Sequence, residues 1–564
     1  MNLNPDRLIA DLLIVNANIH TVDPGQPHAQ ALAIQGEVIV AAGSDEEVRR
    51  LAGPATRVID AGGRLIVPGF NDAHLHLIAG AEALVGVDLR ASRDEGDLAR
   101  RVERYAAALP GGEWITGGYW DHEAWPGKAL PTRDSIDAVT PNHPVFVKRL
   151  DGHMALANSL AMTRAGITDD DVAIPSGGAV VRDAQGRLTG MFKDAAMDLV
   201  TRAIPPAMLD TILPRARAAL KHAAALGVTT VQDMTASAVE FAAYETLLAA
   251  GQLTARISSI QNYDGIHLMA GGRDARWYGD WLGFGGRKFF ADGSMGAGTA
   301  AFFEPYTDDP GTSGLLMHDP DRLEQLIVEA DASGLQPVVH AIGDRANTIV
   351  LDIFERLRAS RGTGRRWRPR IEHAQVVRSE DRARFSALGV IASIQPSHCI
   401  DDMRWSEARI GRTRSAMAYN VRAFVDAGAH VAFGSDWFVA PLDPMVGLYA
   451  AVTRQFPDGT PPGGWFPDER VTLAQAVECY TRGSAYAEFA ENRKSSLKRG
   501  FLADLVVLSR NIFAVPPREI LDTRPVLTMV GGRVVFDAEQ LASPESRHAS
   551  SHEHTSAGSR GTDR

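Results

Sequence analysis

Eight short apolar runs with the composition of buried β-strands recur along the middle of the chain, and helical patterns lie between them. Strands that alternate with helices in this way pair in parallel, because each helix returns the chain to the same edge of the sheet. Eight such repeats predict an α/β fold of the (β/α)8 TIM-barrel type, in which functional residues lie at the carboxyl ends of the strands. The predicted strands occupy residues 65–76, 228–233, 257–261, 287–292, 337–340, 370–373, 390–395 and 431–436.

The two ends of the chain have a different pattern from the middle. Short β-rich runs occupy residues 9–66, and similar runs, including a hairpin with Gly531-Gly532 at its turn, return near the other end. We therefore predict a small β-sandwich domain built from residues 1–66 and 497–540, and a barrel at residues 67–496. The stretch at about 80–225 is too long for one strand-to-helix connection and is predicted to be an insertion. Residues 541–564, rich in Ser, His and charge, are predicted to be a disordered tail.

The formal net charge of −11 argues against a protein that binds nucleic-acid phosphates. No apolar stretch reaches the length that crosses a membrane, and the amino terminus lacks the pattern of a secretory signal. Cys399 and Cys479 are the only cysteines, so a disulfide framework is excluded and a metal would be held by nitrogen and oxygen. We expect a cytoplasmic protein whose partners include neither a nucleic acid nor a membrane.

Ionisable side chains recur in five of the predicted strands, most of them at the carboxyl end. In Asp72-Ala-His74-Leu-His76 the alternation of an extended chain places both imidazoles on one face. An isolated pair of this kind is more often one core histidine and one surface histidine. Repeated ionisable groups at buried strand ends are costly, however, and a shared cation removes that cost. The sequence therefore predicts a site for Zn²⁺, Mn²⁺, Fe²⁺, Co²⁺ or Ni²⁺ whose nitrogen and oxygen ligands are His74, His76, His340, His373 and Asp436.

Six motifs occur in order between residues 68 and 436. They are Pro68-Gly-Phe-Asn-Asp-Ala-His-Leu-His76, Asp151-Gly-His-Met-Ala-Leu-Ala-Asn-Ser159, Lys288-Phe-Phe-Ala-Asp-Gly-Ser294, His340-Ala-Ile-Gly-Asp344, Ile371-Glu-His-Ala-Gln375 and Gly434-Ser-Asp436. In this combination the chain resembles the amidohydrolase superfamily, and within it the amidohydrolase-3 or YtcJ-like group that includes N-substituted formamide deformylases. The resemblance implies two divalent ions, most simply two Zn²⁺: His74, His76 and Asp436 on the first, and His340 and His373 on the second.

Lys288 resembles the lysine that stands on the fourth strand in the binuclear members of this superfamily. An ammonium group does not ligate a cation, whereas an N-carboxylated lysine is an anionic ligand that bridges two ions. We favour the carboxylated form because Lys288 lies in an otherwise apolar run, where an ammonium is poorly solvated. The alternative is a lysine whose stem packs and whose head reaches water. Asp194 is the second candidate for a bridging or substrate-facing group, or else an exposed carboxylate at the start of a helix.

Four residues are candidates for substrate binding. His153 is one because it matches the family motif, and without that match it would be a loop histidine. Asp292 belongs to the motif of the fourth strand, and Asp194 has been introduced above. Trp125 lies in the insertion, where an aromatic residue either shapes a pocket or packs the insertion onto the barrel.

The resemblance implies a hydrolase in which a metal-activated hydroxide attacks the carbonyl carbon of a small amide. Asp436 is then the catalytic residue, which orients the hydroxide and passes its proton to the leaving nitrogen, while His153 or another donor stabilises the oxyanion. A purely structural alternative for Asp436 is a cap on the following turn. The expected partner is a small-molecule amide, an N-acyl or N-formyl amine, and homo-oligomerisation is a family expectation.

Two other functions remain open at the level of the sequence. The first is deamination of a ring at a single metal ion, as in the cytosine and adenosine deaminase branch of the superfamily. That branch has His-x-x-Glu after the fifth strand and no lysine on the fourth, whereas this chain has His340-Ala-Ile-Gly and Lys288. The second is a scaffold that has lost catalysis, although none of the expected ligands is missing here.

Overall fold

A computed structural model describes residues 9–262, 277–360 and 367–541. The predicted tail beyond Leu541 lies outside the described residues. The described residues divide into two compact units: the first comprises residues 9–69, 493–511 and 523–541, and the second comprises those of 70–492 together with 512–522. Residues 512–522, predicted as part of the terminal domain, thus belong to the barrel unit.

The strands are numbered along the chain. They are β1 (Ala10–Val15), β2 (Asn18–His20), β3 (His28–Ala29), β4 (Ala31–Gln35), β5 (Val38–Gly43), β6 (Ala52–Asp60), β7 (Leu65–Pro68), β8 (Phe70–Leu75), β9 (Ile115–Trp120), β10 (Val145–Arg149), β11 (Met154–Ala157), β12 (Gly178–Arg182), β13 (Leu188–Asp194), β14 (Val228–Ala236), β15 (Arg256–Asn262), β16 (Trp277–Tyr278), β17 (Leu282–Phe290), β18 (Gln336–Ala341), β19 (Arg370–His373), β20 (Ile391–Ile394), β21 (His430–Phe433), β22 (Leu505–Leu508), β23 (Pro525–Val530) and β24 (Arg533–Asp537).

The α-helices are numbered in the same way. They are α1 (Asp45–Arg49), α2 (Leu77–Val85), α3 (Glu95–Ala106), α4 (Arg133–Asp137), α5 (Ser159–Arg164), α6 (Asp198–Thr201), α7 (Leu209–Ala225), α8 (Ala238–Ala249), α9 (Pro320–Ala332), α10 (Asp344–Ser360), α11 (Ser379–Leu388), α12 (Pro396–Asp402), α13 (Ser406–Ser415), α14 (Val421–Asp426), α15 (Pro444–Thr453), α16 (Leu473–Glu478), α17 (Ser484–Ala487) and α18 (Pro517–Ile520). Within the described ranges, none of them combines the length and the apolar composition that spanning a membrane requires.

The terminal unit is a β-sandwich. One sheet has the strand order β5-β4-β1-β6 and the other has the order β24-β23-β22-β7-β2-β3, so strands from both ends of the chain pair in the second sheet. Apolar side chains of the two sheets form one buried cluster, which includes Ile14 and Ile34 from the first sheet and Ile66 and Leu505 from the second. Two sheets that bury their inner faces against each other in this way form a sandwich.

The barrel unit contains a sheet of eight parallel strands in the order β8-β14-β15-β17-β18-β19-β20-β21, with the short β16 beside β17. Each predicted strand overlaps one of these eight, so the TIM-barrel prediction is confirmed. The predicted run at residues 65–76 is in fact two strands, β7 of the sandwich and β8 of the barrel, separated by Gly69. Pro68 has no N–H to continue a ladder, which is consistent with a break at this point.

The fourth barrel strand, β17, begins five residues before the sequence predicted. The sequence did not indicate the start of this strand because Gly285 and Gly286 lie there, and glycine is usually unfavourable in a strand. Here the glycines are required by close packing: a Cβ at Gly285 would lie 2.5 Å from Ser258 Oγ, and one at Gly286 would lie 2.5 Å from the backbone oxygen of Gln336. The neighbouring strands leave no room for side chains at these positions.

A second sheet, of order β12-β13-β11-β10-β9, lies between α2 and α7 in the sequence. It belongs to the predicted insertion, together with the helices α3 to α6, and its core includes Leu89, Ile115, Val147 and Leu156. Helix α7, which the predicted limits of about 80–225 included, packs against α2, α8 and β14 and is therefore a helix of the barrel wall.

The first and last barrel strands approach each other closely where β21 ends. The N–H of Asp436 donates to the backbone oxygen of His74 at 2.6 Å. A Cβ at Gly434 would lie 2.5 Å from the backbone nitrogen of His74 and 2.9 Å from Asp72 Oδ1. Only glycine fits at this closure, which also brings candidate metal ligands from the first and eighth strands together.

We therefore expect Gly434→Ala to lower the free energy of unfolding by about 1–3 kcal/mol, the usual cost of forcing an extra methyl group into a packed site. Urea denaturation measures this change. Gly111→Ala is the matched control, because nothing lies within 4 Å of a Cβ at Gly111. Equal stability of the two variants would contradict the close approach.

Candidate metal centre

The predicted ligands converge at the carboxyl ends of the barrel strands. Among the described residues, His74, His373 and Asp436 each offer a ligand atom, and these atoms all lie within 4.8 Å of one another. His76 Nε2 lies 3.3 Å from Asp436 Oδ1, and His74 Nε2 lies 3.5 Å from the same oxygen. The ring of His340 is 4.7 Å from that of His373, centroid to centroid. The first, fifth, sixth and eighth strands thus contribute to one cluster.

In each of the four imidazoles, one ring nitrogen contacts a polar group of the protein. His74 Nδ1 donates to Glu372 Oε2 at 2.5 Å, and His373 Nδ1 donates to Gln395 Oε1 at 2.7 Å. Contacts of this kind fix the tautomer and leave the other nitrogen with its lone pair free for a metal ion. The remaining two contacts join His340 Nε2 to the backbone oxygen of Gly293 at 3.0 Å and His76 Nδ1 to Thr235 Oγ1 at 3.0 Å.

The protonation states are those that metal ligands need. Burial lowers the pKa of His74 to about 4 and holds the pKa values of His340 and His373 well below their usual range, so the three rings are neutral. Burial opposes ionisation of Asp436, but His74, His76 and His373 outweigh it and hold the pKa of this carboxyl well below its usual range. The cluster therefore offers neutral nitrogen donors and one carboxylate.

Glu372 is a member of the site that the sequence did not identify. It lies at the third position of β19, fully buried, and accepts hydrogen bonds from Arg370 Nε at 2.7 Å and from His74 Nδ1. Burial raises the pKa of Glu372, but Arg370 and His74 outweigh that effect and lower the pKa to about 2. Strand alternation alone places Arg370 and Glu372 on the same face, but the contact of Glu372 with His74, which is distant in the sequence, forms only in the folded barrel.

Lys288 lies inside the cluster and does not reach solvent. It is 1% exposed, and its Nζ is 3.4 Å from His74 Nε2. Burial lowers the pKa of Lys288 to about 8, although Glu372 and Asp436 oppose the shift. Its position excludes the alternative in which the head of the side chain extends into water.

Ser435, the neighbour of Asp436, is held by Asp72 of β8. Asp72 accepts hydrogen bonds from the Ser435 N–H at 3.0 Å and from the His74 N–H at 3.1 Å. The backbone of Asp436 has φ of +55°, an uncommon conformation for a residue with a side chain. Strain of this kind persists only where the surroundings impose it. Here the Asp436 N–H is held by the His74 backbone oxygen, and the preceding Ser435 is held by Asp72.

His153 and Asp194 form a pair beside the cluster. His153 Nδ1 donates to Asp194 Oδ1 at 2.7 Å, and the His153 ring lies 5.0 Å from that of His340. Burial lowers the pKa of His153, but Asp194 and Asp151 outweigh burial and raise it. Both residues come from the inserted sheet. Asp194 therefore orients His153, and the structure does not place it among the clustered ligand atoms.

Asp292 and Trp125 are not among the described residues that line the cavity over the cluster. Asp292 is fully buried and accepts from the N–H groups of Ala301, Ile342 and Gly343 at 2.8–3.0 Å, so it organises the loops around His340. Trp125 packs in the core of the insertion, and its indole N–H donates to the Ser92 backbone oxygen at 2.7 Å. Trp125 thus packs within the insertion, which was the alternative to a role in the pocket. Asp292 positions loops of the barrel.

A cavity opens over the cluster, and His340, His373 and Asp436 are among the residues that line it. Barrel loops and the insertion both line it. The lining residues that the sequence did not assign to substrate include Asp121, Arg149, Asp151, His398, Asp401 and Asp402.

The residues present fit a divalent metal ion. The ligand atoms are the nitrogen and oxygen donors that Zn²⁺ and its neighbours prefer. Asp436 Oδ1 is buried without a hydrogen-bond partner among the described residues, although an ionised oxygen in such a place requires one. A cation between this oxygen and the free imidazole nitrogens would satisfy all of them.

The chain is similar to known proteins over most of its length. The chain is 30% identical over 525 residues to the putative amidohydrolase YtcJ of Bacillus subtilis, covering 92% of this chain and 98% of the relative. It is 29% identical over 553 residues to the N-substituted formamide deformylase of Arthrobacter pascens, covering 93% and 98%.

A solved structure shows the same likeness. The uncharacterized metal-dependent hydrolase of Pyrococcus horikoshii matches with a TM-score of 0.73 and 27% identity, covering 90% of this chain and 99% of that one. The sequence pattern described as the amidohydrolase family matches residues 57–536, which is most of the chain. The chain therefore belongs to the amidohydrolase family.

Proposed function

We propose that this protein hydrolyses the C–N bond of a small amide, an N-acyl or N-formyl amine, at a centre of two divalent ions. The observation that carries the proposal is the arrangement of the ligands: neutral imidazoles, each with one nitrogen held by the protein, face the unpartnered oxygen of Asp436 on the floor of the cavity. The similarity to the formamide deformylase supports an amide as the substrate.

The residues of the cavity can perform the proton transfers that amide hydrolysis requires. A divalent ion, when bound, polarises a carbonyl group and makes water nucleophilic at neutral pH. Asp436 is ionised and accepts the proton of the attacking water, then returns it to the leaving nitrogen. His153, held by Asp194, presents its Nε2 as the hydrogen-bond donor to the carbonyl oxygen on which negative charge develops.

Lys288 supports the binuclear form of the proposal. Its burial lowers its pKa and favours the neutral amine, which is the form that adds carbon dioxide and releases a proton to become a carbamate. The carbamate would supply the negative charge that two neighbouring cations need, in a position beside His74. The ligands of the two ions would then be His74, His76 and Asp436 for one, His340 and His373 for the other, and Lys288 for both.

Metal analysis of the purified full-length protein tests the centre itself. We expect about two equivalents of divalent ion per chain and, under native conditions, a mass increment of one carbon dioxide that Lys288→Ala abolishes. One equivalent without the increment would favour a mononuclear centre and revive the ring-deaminase alternative.

A substrate panel tests the reaction. N-formyl and N-acetyl amines should release free amine with the metal-loaded protein, and removal of the metal by a chelator should abolish the activity until Zn²⁺ or Mn²⁺ is restored. Cytosine and adenine serve as deaminase substrates in the same panel. Release of ammonia from a ring, with no amide hydrolysed, would contradict the proposal, and a loaded centre inactive on every compound would favour the scaffold.

A further inference from the structure

One wall of the cavity consists of polar residues of α12, the helix that follows the seventh barrel strand. His398, Asp401 and Asp402 all line the cavity. Residues three and four positions apart lie on the same face of a helix, with Cβ atoms about 5–6 Å apart. His398 is near the metal centre, since its Nε2 lies 3.9 Å from Asp436 Oδ2. Asp401 and Asp402 therefore lie one helical turn farther from the reacting atoms.

The two carboxylates of this wall have no cation bound to them. Asp402 accepts hydrogen bonds from the Tyr419 hydroxyl at 2.5 Å and from the Gln375 amide at 3.0 Å, and both donors are neutral. Across the described ranges, the Asp401 carboxylate makes neither a hydrogen bond nor an ion pair. Two adjacent acidic groups therefore face the cavity without a counter-charge in contact.

The arginines nearby are engaged elsewhere. Arg404 pairs with Asp121 Oδ2 at 3.3 Å and donates from Nε to the backbone oxygen of Asp401 at 2.8 Å. Arg90 donates to the backbone oxygen of Val439 at 2.9 Å. Their charges act on the carboxyl of Asp401 only from a distance, and burial outweighs them and raises its pKa.

His398 provides an independent indication that a ligand binds here. Its side chain is nine-tenths buried, and its Nε2 has no hydrogen-bond partner among the described residues. Buried polar atoms of native proteins are almost always paired, so an unpaired one that faces a cavity indicates a group supplied from outside. This nitrogen lies beside the metal centre, on the helix that also carries the two carboxylates.

We propose that His398, Asp401 and Asp402 form a subsite for a cationic nitrogen of the substrate, so that the amide cleaved here also carries a protonated amine. The inference rests on the proposed function and adds a substrate class to it: singly N-acylated diamines and related amino amides. An ammonium group at this wall would pair with both carboxylates, and such pairing across a partly desolvated surface selects charged over neutral ligands. The single helical turn between His398 and Asp401 suits a spacer of a few methylene groups.

Two substrates that differ only in charge test this subsite. N-formylputrescine carries an ammonium group, and N-formylpentylamine has a methyl group in its place. With the metal-loaded full-length protein we expect kcat/KM to be about 10- to 100-fold higher for the charged compound, the range for a hydrogen bond to an ionised partner. Asp401→Asn should remove most of that preference by lowering activity on the charged compound alone, and Asp401→Glu should retain it.

Asp426→Asn is the matched control, because Asp426 is exposed and pairs only with Arg422 on the surface of α14. It should leave both rates unchanged. Equal kcat/KM for the two compounds, or a preference that survives Asp401→Asn, would overturn the subsite while leaving amide hydrolysis intact.

A binding measurement separates this inference from the proposed function. Calorimetry with putrescine and with 1,4-butanediol, an uncharged molecule of the same length, should show binding of the diamine alone, weakened at least about tenfold by Asp401→Asn. If neither formyl compound is hydrolysed and putrescine still binds through Asp401, the reaction is wrong and the subsite stands. If putrescine binds no better than 1,4-butanediol, the subsite is wrong.

Discussion

Asp436→Asn should lower kcat by about 10²–10⁴-fold and leave the fold nearly unchanged, the range for loss of a proton-transferring group. Asparagine has the size and shape of aspartate, so the close approach of the Asp436 N–H to the His74 backbone oxygen should persist. What disappears is the negative charge of a carboxylate whose pKa the surrounding imidazoles hold low. Without that charge the side chain cannot accept the proton of the attacking water.

Steady-state rates on a formyl amine measure the effect, with metal content determined on the same samples. Because Asp436 is also a candidate ligand, rates are compared at metal concentrations that saturate the centre. Asp426→Asn, an exposed change of the same chemistry, should keep full activity. Thermal unfolding within a few degrees of the unchanged protein would exclude a folding defect. More than a tenth of the original kcat at saturating metal would remove Asp436 from its proposed catalytic role.

The barrel could be predicted from the sequence because its signals are local. Each strand is a short apolar run, and most of the runs end at or beside a polar residue that faces the carboxyl edge of the sheet. That these polar residues meet at one edge of the barrel then follows from the fold class alone, without knowledge of any individual contact. His74 and Asp436 are separated by most of the chain, yet both were located as ends of strands that meet when the barrel closes.

The features that the sequence missed depend on contacts between distant residues. The two glycines of β17 are unfavourable for a strand when the sequence is considered alone. Only atoms of the neighbouring strands explain why no Cβ fits at these positions. Trp125 satisfied the composition of a pocket as well as that of a core, and its hydrogen bond to Ser92 decided between them. Asp292 lies within a motif of the sequence, but the three N–H groups that donate to it come from two later loops.

The second large effect is expected from the buried ion pair of Arg370 and Glu372, next to His74. Glu372→Ala should lower the free energy of unfolding of the metal-free protein by about 3–5 kcal/mol, the usual cost of leaving a buried charge without its partner. Arg370 and Glu372 are both fully buried, and Arg370 Nε lies 2.7 Å from Glu372 Oε1. The substitution also removes the acceptor of His74 Nδ1, so the imidazole loses the contact that fixes its tautomer.

Glu372→Gln separates the two roles of this carboxylate. Glutamine retains an oxygen that can accept from His74 Nδ1, so the loss of stability should be smaller than with alanine, but the negative charge that makes His74 a better ligand is gone. Metal affinity, measured by competition with a chelator, should fall about 10- to 100-fold, as for other groups that orient a metal-binding histidine. Glu355→Ala is the control, because its pair with Arg384 is exposed and such pairs contribute at most about 1 kcal/mol. If Glu372→Gln binds metal as tightly as the unchanged protein, then His74 takes its orientation from the strand alone, and the buried pair serves only the stability of the barrel.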